Sequence, residues 1–522
     1  MIINPLFDID WYKSDHGAQY PEKTELVYSN MTARSAKHFQ SLSGYDDHIS
    51  VIGVESFLVD FIDRWDQFFF NQDVEMLIED YKAQVNASLG RDVNYDQIRE
   101  LHKLGYMPLE FRALPEGTRC PIGVPFLVVW NTLPEFYWLT NRIETYMSAE
   151  LWKPITTATI AYEYKAILTE YADLTQSNVD LGAFSLVDIQ AHDFSYRGMS
   201  GHEDAARSGI GHLSCFRGTD TVPAIRYVAQ HYDGSLDDGL SVAATEHSVM
   251  AMGSKAGELE TIRRLIKTIY HDGIVSVVSD TWDFWNVITK TAKTLKDEIM
   301  ARDGKLVFRP DSGDPADIIC GDPNAKEGSN EYKGAVELLY ELFPGPDTPN
   351  GYKTLDPHVG LIYGDSITLE RAQDICERLY DKGFASTNVV FGIGSYTYQM
   401  ITRDTFGMAM KATAGIIDGE VVEGKRFINS DLRKDLVEKY GEEYFREMLN
   451  DARGISDARR KVFIDSTGNF NITDREQILL DPDSFMSSID SMSVSDGRKD
   501  TYKKHVHQRH KDAVNAFWEH LA

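Results

Sequence analysis

Leu306-Val-Phe-Arg-Pro-Asp-Ser-Gly-Asp314 joins a short apolar run to an end made of Arg, Asp, Ser, Pro and Gly. The first three residues suit a buried strand, and Pro310 with Gly313 fixes a turn after it. The same grammar recurs on both sides. Phe184-Ser-Leu-Val-Asp-Ile189, His212-Leu-Ser-Cys-Phe216, Leu240-Ser-Val-Ala-Ala244, Ile274-Val-Ser-Val-Val278, Val359-Gly-Leu-Ile-Tyr363 and Asn388-Val-Val-Phe391 are further runs of this kind. Their polar or glycine terminators are Asp193, Asp220, His247, Asp280, Asp365 and Gly394, with Asp311 closing the first-quoted run. All but one of the intervals between successive terminators measure 27 to 33 residues, the length of a β/α unit. The exception contains Cys320-Gly-Asp-Pro-Asn-Ala-Lys-Glu-Gly-Ser-Asn-Glu-Tyr332, which reads as a surface insertion.

Apolar strands alternating with helices imply a parallel sheet buried on both faces. Seven units fit an irregular β/α barrel over residues 181–395, with an open doubly wound sheet as the alternative. In a barrel the seven terminators converge on one face, which makes 181–395 the catalytic domain. The flanks differ. Helical stretches at Val51–Phe70 and Glu144–Tyr171, strands near Glu25–Tyr28 and Phe126–Trp130, and hairpins near 415–422 and 468–472 predict a second, mixed α+β domain. Residues 1–180 and 396–522 together would build it, so the fold class is α/β with a discontinuous companion domain.

Composition narrows the function. Of 522 residues, 42% are apolar and 26% charged, and 53 Lys plus Arg against 81 Asp plus Glu give a formal charge of −28. A field of that sign repels polyanions and argues against nucleic-acid binding, but leaves small phosphorylated ligands accessible to local arginines. No apolar run approaches the ~20 residues of a membrane span. The first residues lack the features of a secretory signal, and Cys120, Cys215, Cys320 and Cys376 lie far apart, so a cytoplasmic location is expected.

Several strand ends present chemistry. Gly392-Ile-Gly-Ser-Tyr-Thr397 precedes a helix-like Tyr398–Arg403, and backbone N–H groups there can cradle a phosphate, with Arg403 adding donors; a plain structural turn is the competing reading. Arg309 can grip a phosphate or carbonyl while Asp311 binds sugar hydroxyls or hydrated Mg²⁺, unless the two form only a local ion pair. His247 beside Glu246, with Asp280 a candidate neighbour, suits a proton shuttle, a ligand or a phosphate-accepting nucleophile; a satisfied structural histidine is equally compatible. In His192-Asp-Phe-Ser-Tyr-Arg-Gly198, Phe194 can stack on a planar ring and Arg197 can reach a phosphate, or Phe194 and Tyr196 are core plugs. His505-Val-His507-Gln-Arg-His510 reads as a solvated helix face.

In that order and spacing, His192-Asp-Phe-Ser-Tyr-Arg-Gly, Gly218-Thr-Asp-Thr, Glu246-His-Ser, Ser276-Val-Val-Ser-Asp280, Arg309-Pro-Asp-Ser-Gly, Gly364-Asp365 and Phe391-Gly-Ile-Gly closely resemble the nicotinamide phosphoribosyltransferases, a type II phosphoribosyltransferase family. Asp10-Trp-Tyr-Lys13, Gln19-Tyr-Pro21 and Tyr137–Thr145 extend the similarity across the chain to about residue 415. The resemblance implies a homodimer with active sites at the subunit interface. It would make nicotinamide mononucleotide and pyrophosphate from nicotinamide and phosphoribosyl pyrophosphate, a step of NAD salvage, with Mg²⁺ and ATP. By matching positions, Phe194 and Tyr12 of the partner subunit would sandwich the pyridine ring. Asp220 would accept the carboxamide N–H₂, with Arg309 facing the same group and Asp10 nearby. Asp311 and Asp365 would hold ribose hydroxyls or hydrated Mg²⁺ near Asp280, without direct metal ligation, and Ser276 and Gly364 would belong to the phosphoribosyl site. Gly394, Ser395 and the partner subunit's Arg403 would surround the 5′-phosphate, Lys411 would belong to the same phosphoribosyl and pyrophosphate site, and Arg197 with Arg34 of the partner subunit would take the pyrophosphate. His247, with Asp280 and Asp311 the catalytic set, would be phosphorylated by ATP.

The family's Lys-rich segment has no clean counterpart, leaving Lys425 or Arg459-Arg-Lys461 to replace it. The nearest alternative is a nicotinate enzyme, and a catalytically inactive binding barrel is the alternative from another class. Asp220 favours the amide, because it would repel a carboxylate ligand.

Overall fold

The computed structural model describes residues 3–40, 42, 45–182, 184–232, 234–423, 462–464 and 470–472. Seven parallel strands form one curled sheet. Across it the order is Gly218–Thr219, Ala191–Asp193, Val389–Ile393, Val359–Tyr363, Asp303–Arg309, Asp272–Val278 and Ala243–Ala244. At one edge Thr219 N donates to Leu240 O at 2.9 Å and Leu240 N to Arg217 O at 2.6 Å. Leu240 leads into the strand at the other edge, so the chain itself curls the sheet toward closure. The apolar runs explain the burial: Val275, Val277, Leu306, Phe308, Leu361, Phe391 and Ile393 are all inaccessible, packed in one core with the surrounding helices.

Each terminator sits at or within three residues of the end of its strand, but two runs lie elsewhere. Phe184–Ile189 does not form a strand. Ser185 and Asp188 build a capping box that winds Leu186–Ile189 into a 3-10 turn, and the strand starts at Ala191. His212–Phe216 belongs mostly to the end of a helix, His202–Leu213, because Gly211 lets that helix settle onto its neighbour: a Cβ there would come 2.7 Å from Pro154 O and Ala158 N. The third run pairs only over Ala243–Ala244 and at Leu240.

A five-stranded antiparallel sheet draws on both flanks of the barrel sequence, in the order Glu420–Glu423, Ala409–Ile417, Thr24–Thr32, Pro125–Asn131, Leu109–Ala113. Asp418 and Gly419 have φ of 53° and 75°, the two positive values that a two-residue type I′ hairpin requires. The Val51–Phe70 stretch is helical from Val54 and passes into a π turn at Asp66–Phe70. The helix Glu144–Leu174 bridges two cores, contributing Met147, Leu151 and Ile155 to one and Ile160, Tyr164 and Leu168 to the other. The insertion after Cys320 is a surface segment anchored by Lys382, whose Nζ donates to Cys320 O and Lys333 O at 2.8 Å each. Phe470–Ile472 pairs antiparallel with Val462–Ile464. Lys425, Arg459–Lys461 and the 505–510 histidines lie outside the described residues. Among the described residues no helix is long and apolar enough to cross a membrane.

Candidate active site

The strand ends gather Phe194, Asp220, His247, Asp280, Arg309, Asp311, Gly364, Asp365 and Gly394 on one rim of the curled sheet. A cavity of about 360 Å³ opens there, lined by Phe194, Tyr196, Arg197, Asp220 and Thr221. Phe194 is half-buried and Tyr196 exposed, so neither is a core plug. Glycine backbone supports the Phe194 ring. A Cβ on Gly392 would lie 2.5 Å from Phe194 Cδ2, and one on Gly364 would lie 2.7 Å from Asp311 Oδ1 and 3.5 Å from Phe194 Cε2. A larger residue at 392 leaves no room for the ring in this position, while one at 364 would meet the Asp311 carboxylate.

Asp220 faces the same cavity, its Oδ1 3.0 Å from His192 Nε2 and accepting from Ser241 Oγ at 2.5 Å. Burial pushes its carboxyl pKa up, but the His192 and Ser241 hydrogen bonds and the charge of Arg309 outweigh that and hold it below the usual range. Asp220 is therefore ionised at neutral pH while its side chain is still 45% exposed, open to a ligand.

Deeper, Asp280 Oδ2 accepts from Asp311 N at 2.9 Å and from Ser312 Oγ. Asp280 Oδ1 lies 3.4 Å from His247 Nε2 and accepts no hydrogen bond. His247 is 54% exposed, which removes the reading of a satisfied structural histidine. Asp311 Oδ2 sits 3.6 Å from Arg309 Nε, so the local ion pair exists, but Asp311 Oδ1 and Arg309 Nε are buried without hydrogen-bond partners. Burial raises the Asp311 pKa; Arg309 opposes the shift, and the nearby Asp280 and Asp365 charges add to it. Ser276 Oγ and Thr281 Oγ1 are likewise buried and unpartnered. Native proteins leave few polar groups in this state, and those at this rim are available to pair with a ligand or water.

The remaining expected residues fall into two further groups. Gly394 precedes a single helical turn, Ser395–Tyr398, and Ser395 touches the loop of Arg197: a Cβ on Gly198 would meet Ser395 Oγ at 2.2 Å. The helix expected over 398–403 is absent, because Thr402 caps its own 3-10 turn, Arg403–Thr405, and ends the continuity. Tyr12, Asp10, Glu144, Lys411 and Arg403 form a separate electrostatic group. Thr145 Oγ1 donates to Asp10 Oδ2 at 2.8 Å, Lys411 Nζ lies 3.9 Å from Glu144, and Tyr12 feels the charges of Asp10, Glu144 and Arg403. Arg34 Nε donates to Gly407 O at 2.6 Å. Tyr12 is 62% exposed.

The model of the nicotinate phosphoribosyltransferase (NAPRTase) family matches residues 189–463, which hold every strand of the curled sheet. The chain belongs to this family. As a phosphoribosyltransferase it has close relatives among bacterial proteins. A protein of Acinetobacter baylyi named nicotinamide phosphoribosyltransferase is 55% identical over 425 residues, covering 80% of this chain and 83% of that protein. Proteins of the same name from Mycoplasma pneumoniae and Mycoplasma genitalium are 32% and 31% identical, each over 79% of this chain and 89% of theirs. Two groups of this phosphoribosyltransferase's site escape the sequence pattern. His192 and Ser241, which hold Asp220, carry no local sign of that role: His192 lies within a short strand and Ser241 at the start of the third apolar run. The glycines under Phe194 read as turn formers, and only the packing shows that they seat a ring.

Proposed function

We propose that the enzyme transfers the phosphoribosyl group of phosphoribosyl pyrophosphate to nicotinamide, forming nicotinamide mononucleotide and pyrophosphate for NAD salvage. One observation carries this choice of base: an ionised Asp220 shares a cavity with the glycine-seated ring of Phe194. A carboxamide offers that carboxylate two N–H donors, whereas nicotinate would set a second negative charge against it. The family's name and the relatives' names point to different bases, and Asp220 favours the amide.

In this reading Phe194 stacks on the pyridine and Asp220 orients it, with its ring nitrogen toward the sugar. Breaking the bond from C1 to pyrophosphate leaves an oxocarbenium-like sugar, and the ring nitrogen donates its electron pair to that carbon. No protein nucleophile is needed; positioning and charge stabilisation supply the rate. Asp311 and Asp365 take ribose hydroxyls, Ser276 and Gly364 border the sugar, Arg309 faces the amide and nearby phosphate, Arg197 faces the departing pyrophosphate, and Gly394 with Ser395 faces the 5′-phosphate. The unpartnered oxygens of Asp280 and Asp311 fit a hydrated Mg²⁺, which would neutralise pyrophosphate charge when bound. His247 accepts the γ-phosphoryl group of ATP with release of ADP, and hydrolysis of the phosphohistidine couples ATP to turnover; its exposed ring beside Asp280 supports this role.

The exposed group around Tyr12 supports a homodimer in which each subunit lends Tyr12, Asp10, Arg34, Arg403 and Lys411 to the other's site. The four cysteines are free and three are buried, in keeping with the reducing cytoplasm. The test is direct: the protein is incubated with phosphoribosyl pyrophosphate, Mg²⁺ and either base, with and without ATP, and the mononucleotide is quantified. Nicotinamide turnover stimulated by ATP is the expected result; preferential turnover of nicotinate overturns the assignment.

A further inference from the structure

Lys153 lies in the first third of the helix Glu144–Leu174, its side chain only 4% exposed, away from the charged surface where lysines belong. Its Nζ donates to Gln399 Oε1 and lies 3.5 Å from Asp204 Oδ1. Gln399 Nε2 in turn donates to Ser200 Oγ at 2.7 Å, and Ser200 N donates to Asp204 Oδ2 at 2.9 Å. These four residues close a ring of polar contacts that ties three segments together. One is the long helix. The second is the stretch from Tyr196 to Asp204, which carries Arg197. The third runs from Gly394 to Gln399, and Gln399 N donates to Ser395 O at 2.8 Å.

The second and third segments also meet at Gly198 and Ser395, with no room for a single extra carbon. We propose that Lys153 is a positioning residue for phosphoribosyl pyrophosphate: the ring it closes sets the separation between the Gly394–Ser395 turn and the loop of Arg197. This inference rests on the assignment of those two segments to the 5′-phosphate and the pyrophosphate. A buried lysine is costly to desolvate and is retained where its charge and three donors do work that an apolar side chain cannot. Here the ammonium holds Gln399 and Asp204 at once, and each grips Ser200. Two phosphate-facing segments on independent loops would otherwise drift, and a 1 Å misplacement can cost a hundredfold in rate.

Steady-state kinetics of Gln399→Leu and Lys153→Met, with each substrate varied in turn, test the proposal. Both variants should raise KM for phosphoribosyl pyrophosphate about tenfold, a loss of about 1.4 kcal/mol of binding, while KM for nicotinamide stays within about twofold. The double variant should be no worse than the worse single one, because both break the same ring. Gln399→Leu leaves the Lys153–Asp204 pair in place, and Lys153→Met combined with Asp204→Asn leaves no lone buried charge, so either reads the effect if Lys153→Met fails to fold. An unchanged KM for phosphoribosyl pyrophosphate, or equal rises for both substrates, overturns the positioning role while the transferase reading stands. A wild-type enzyme that makes no mononucleotide from either base overturns both.

Discussion

His192 Nε2 lies 3.0 Å from Asp220 Oδ1, so a histidine 28 positions earlier holds the carboxylate that faces the cavity. The contact fixes where the negative charge points and helps keep it ionised. Asp220→Ser removes the charge and leaves a hydroxyl that can face either an amide or a carboxylate. Because Asp220 is 45% exposed and water screens it, the lost discrimination should be about tenfold to a hundredfold in the ratio of kcat/KM for nicotinamide over nicotinate. The ratio is measured with the two bases in parallel assays; a ratio unchanged by the substitution removes Asp220 from base selection.

His247 and Asp280 stand 3.4 Å apart, and Asp280 Oδ1 accepts no hydrogen bond. In the proposed mechanism His247 couples ATP to turnover without touching the base. His247→Ala should therefore abolish the stimulation by ATP and leave nicotinamide affinity within about twofold of wild type, less than 0.5 kcal/mol. Turnover with and without ATP, together with calorimetric binding of nicotinamide, gives both readouts. Persistent ATP stimulation in the variant would refute the phosphohistidine.

Asp220 and His247 are both legible in the amino-acid sequence as strand terminators. A terminator is readable because a buried parallel strand needs a continuous apolar run and the chain must then turn, so Asp280, Asp311, Asp365 and Gly394 announce themselves in the same way. The strands at Ala191–Asp193 and Gly218–Thr219 lie away from their expected positions because each is only two or three residues long. Their preceding apolar residues serve a 3-10 turn and a helix instead, and helix and strand cannot be told apart in short apolar runs. Contacts between distant segments leave no trace in local patterning at all. The Lys153 ring links residues up to 246 positions apart, and nothing near Lys153 marks it as different from a surface lysine.

Asp311 offers a test by pH. Its folded-state pKa is raised, first by burial and then by Asp280 and Asp365 against the opposing charge of Arg309. A raised carboxyl pKa means that the ionised form is disfavoured in the fold. The contribution of this group to stability is present below its unfolded pKa, about 3.9, and is lost as pH rises through the higher folded value. Asp311→Asn should therefore raise the melting temperature at pH 7.5 and show no gain below about pH 4, while turnover falls with the loss of the proposed sugar contact. Calorimetric scans across pH give the first half; a variant less stable than wild type at neutral pH contradicts the argument.

Gly392 tests the seat of the ring. A methyl group at this position would stand 2.5 Å from Phe194 Cδ2 and 2.7 Å from Gly364 Cα, and the backbone atom cannot yield. Gly392→Ala should therefore push the Phe194 ring into the cavity and raise the dissociation constant for nicotinamide at least tenfold, about 1.4 kcal/mol or more. Calorimetry of the free base measures it, with a thermal scan to show that the variant folds. Unchanged nicotinamide affinity in a folded variant would show that the ring does not depend on this glycine.

The proposed homodimer makes a quantitative forecast. If Phe194 acts in its own subunit and Tyr12 in the partner's site, Phe194→Ala and Tyr12→Ala each disable both sites of their homodimers. In a mixed dimer one site collects both defects and the other collects neither. Random reassortment of an equimolar mixture yields mixed dimers in half of all pairs, so about a quarter of wild-type activity should return from two inactive proteins. The mixture is denatured and refolded together and its specific activity is compared with each variant alone; co-expression with two tags and purification on both isolates the mixed dimer, which should show about half of wild-type activity. A mixture no more active than its components places Tyr12 and Phe194 in the same subunit's site or removes Tyr12 from the chemistry.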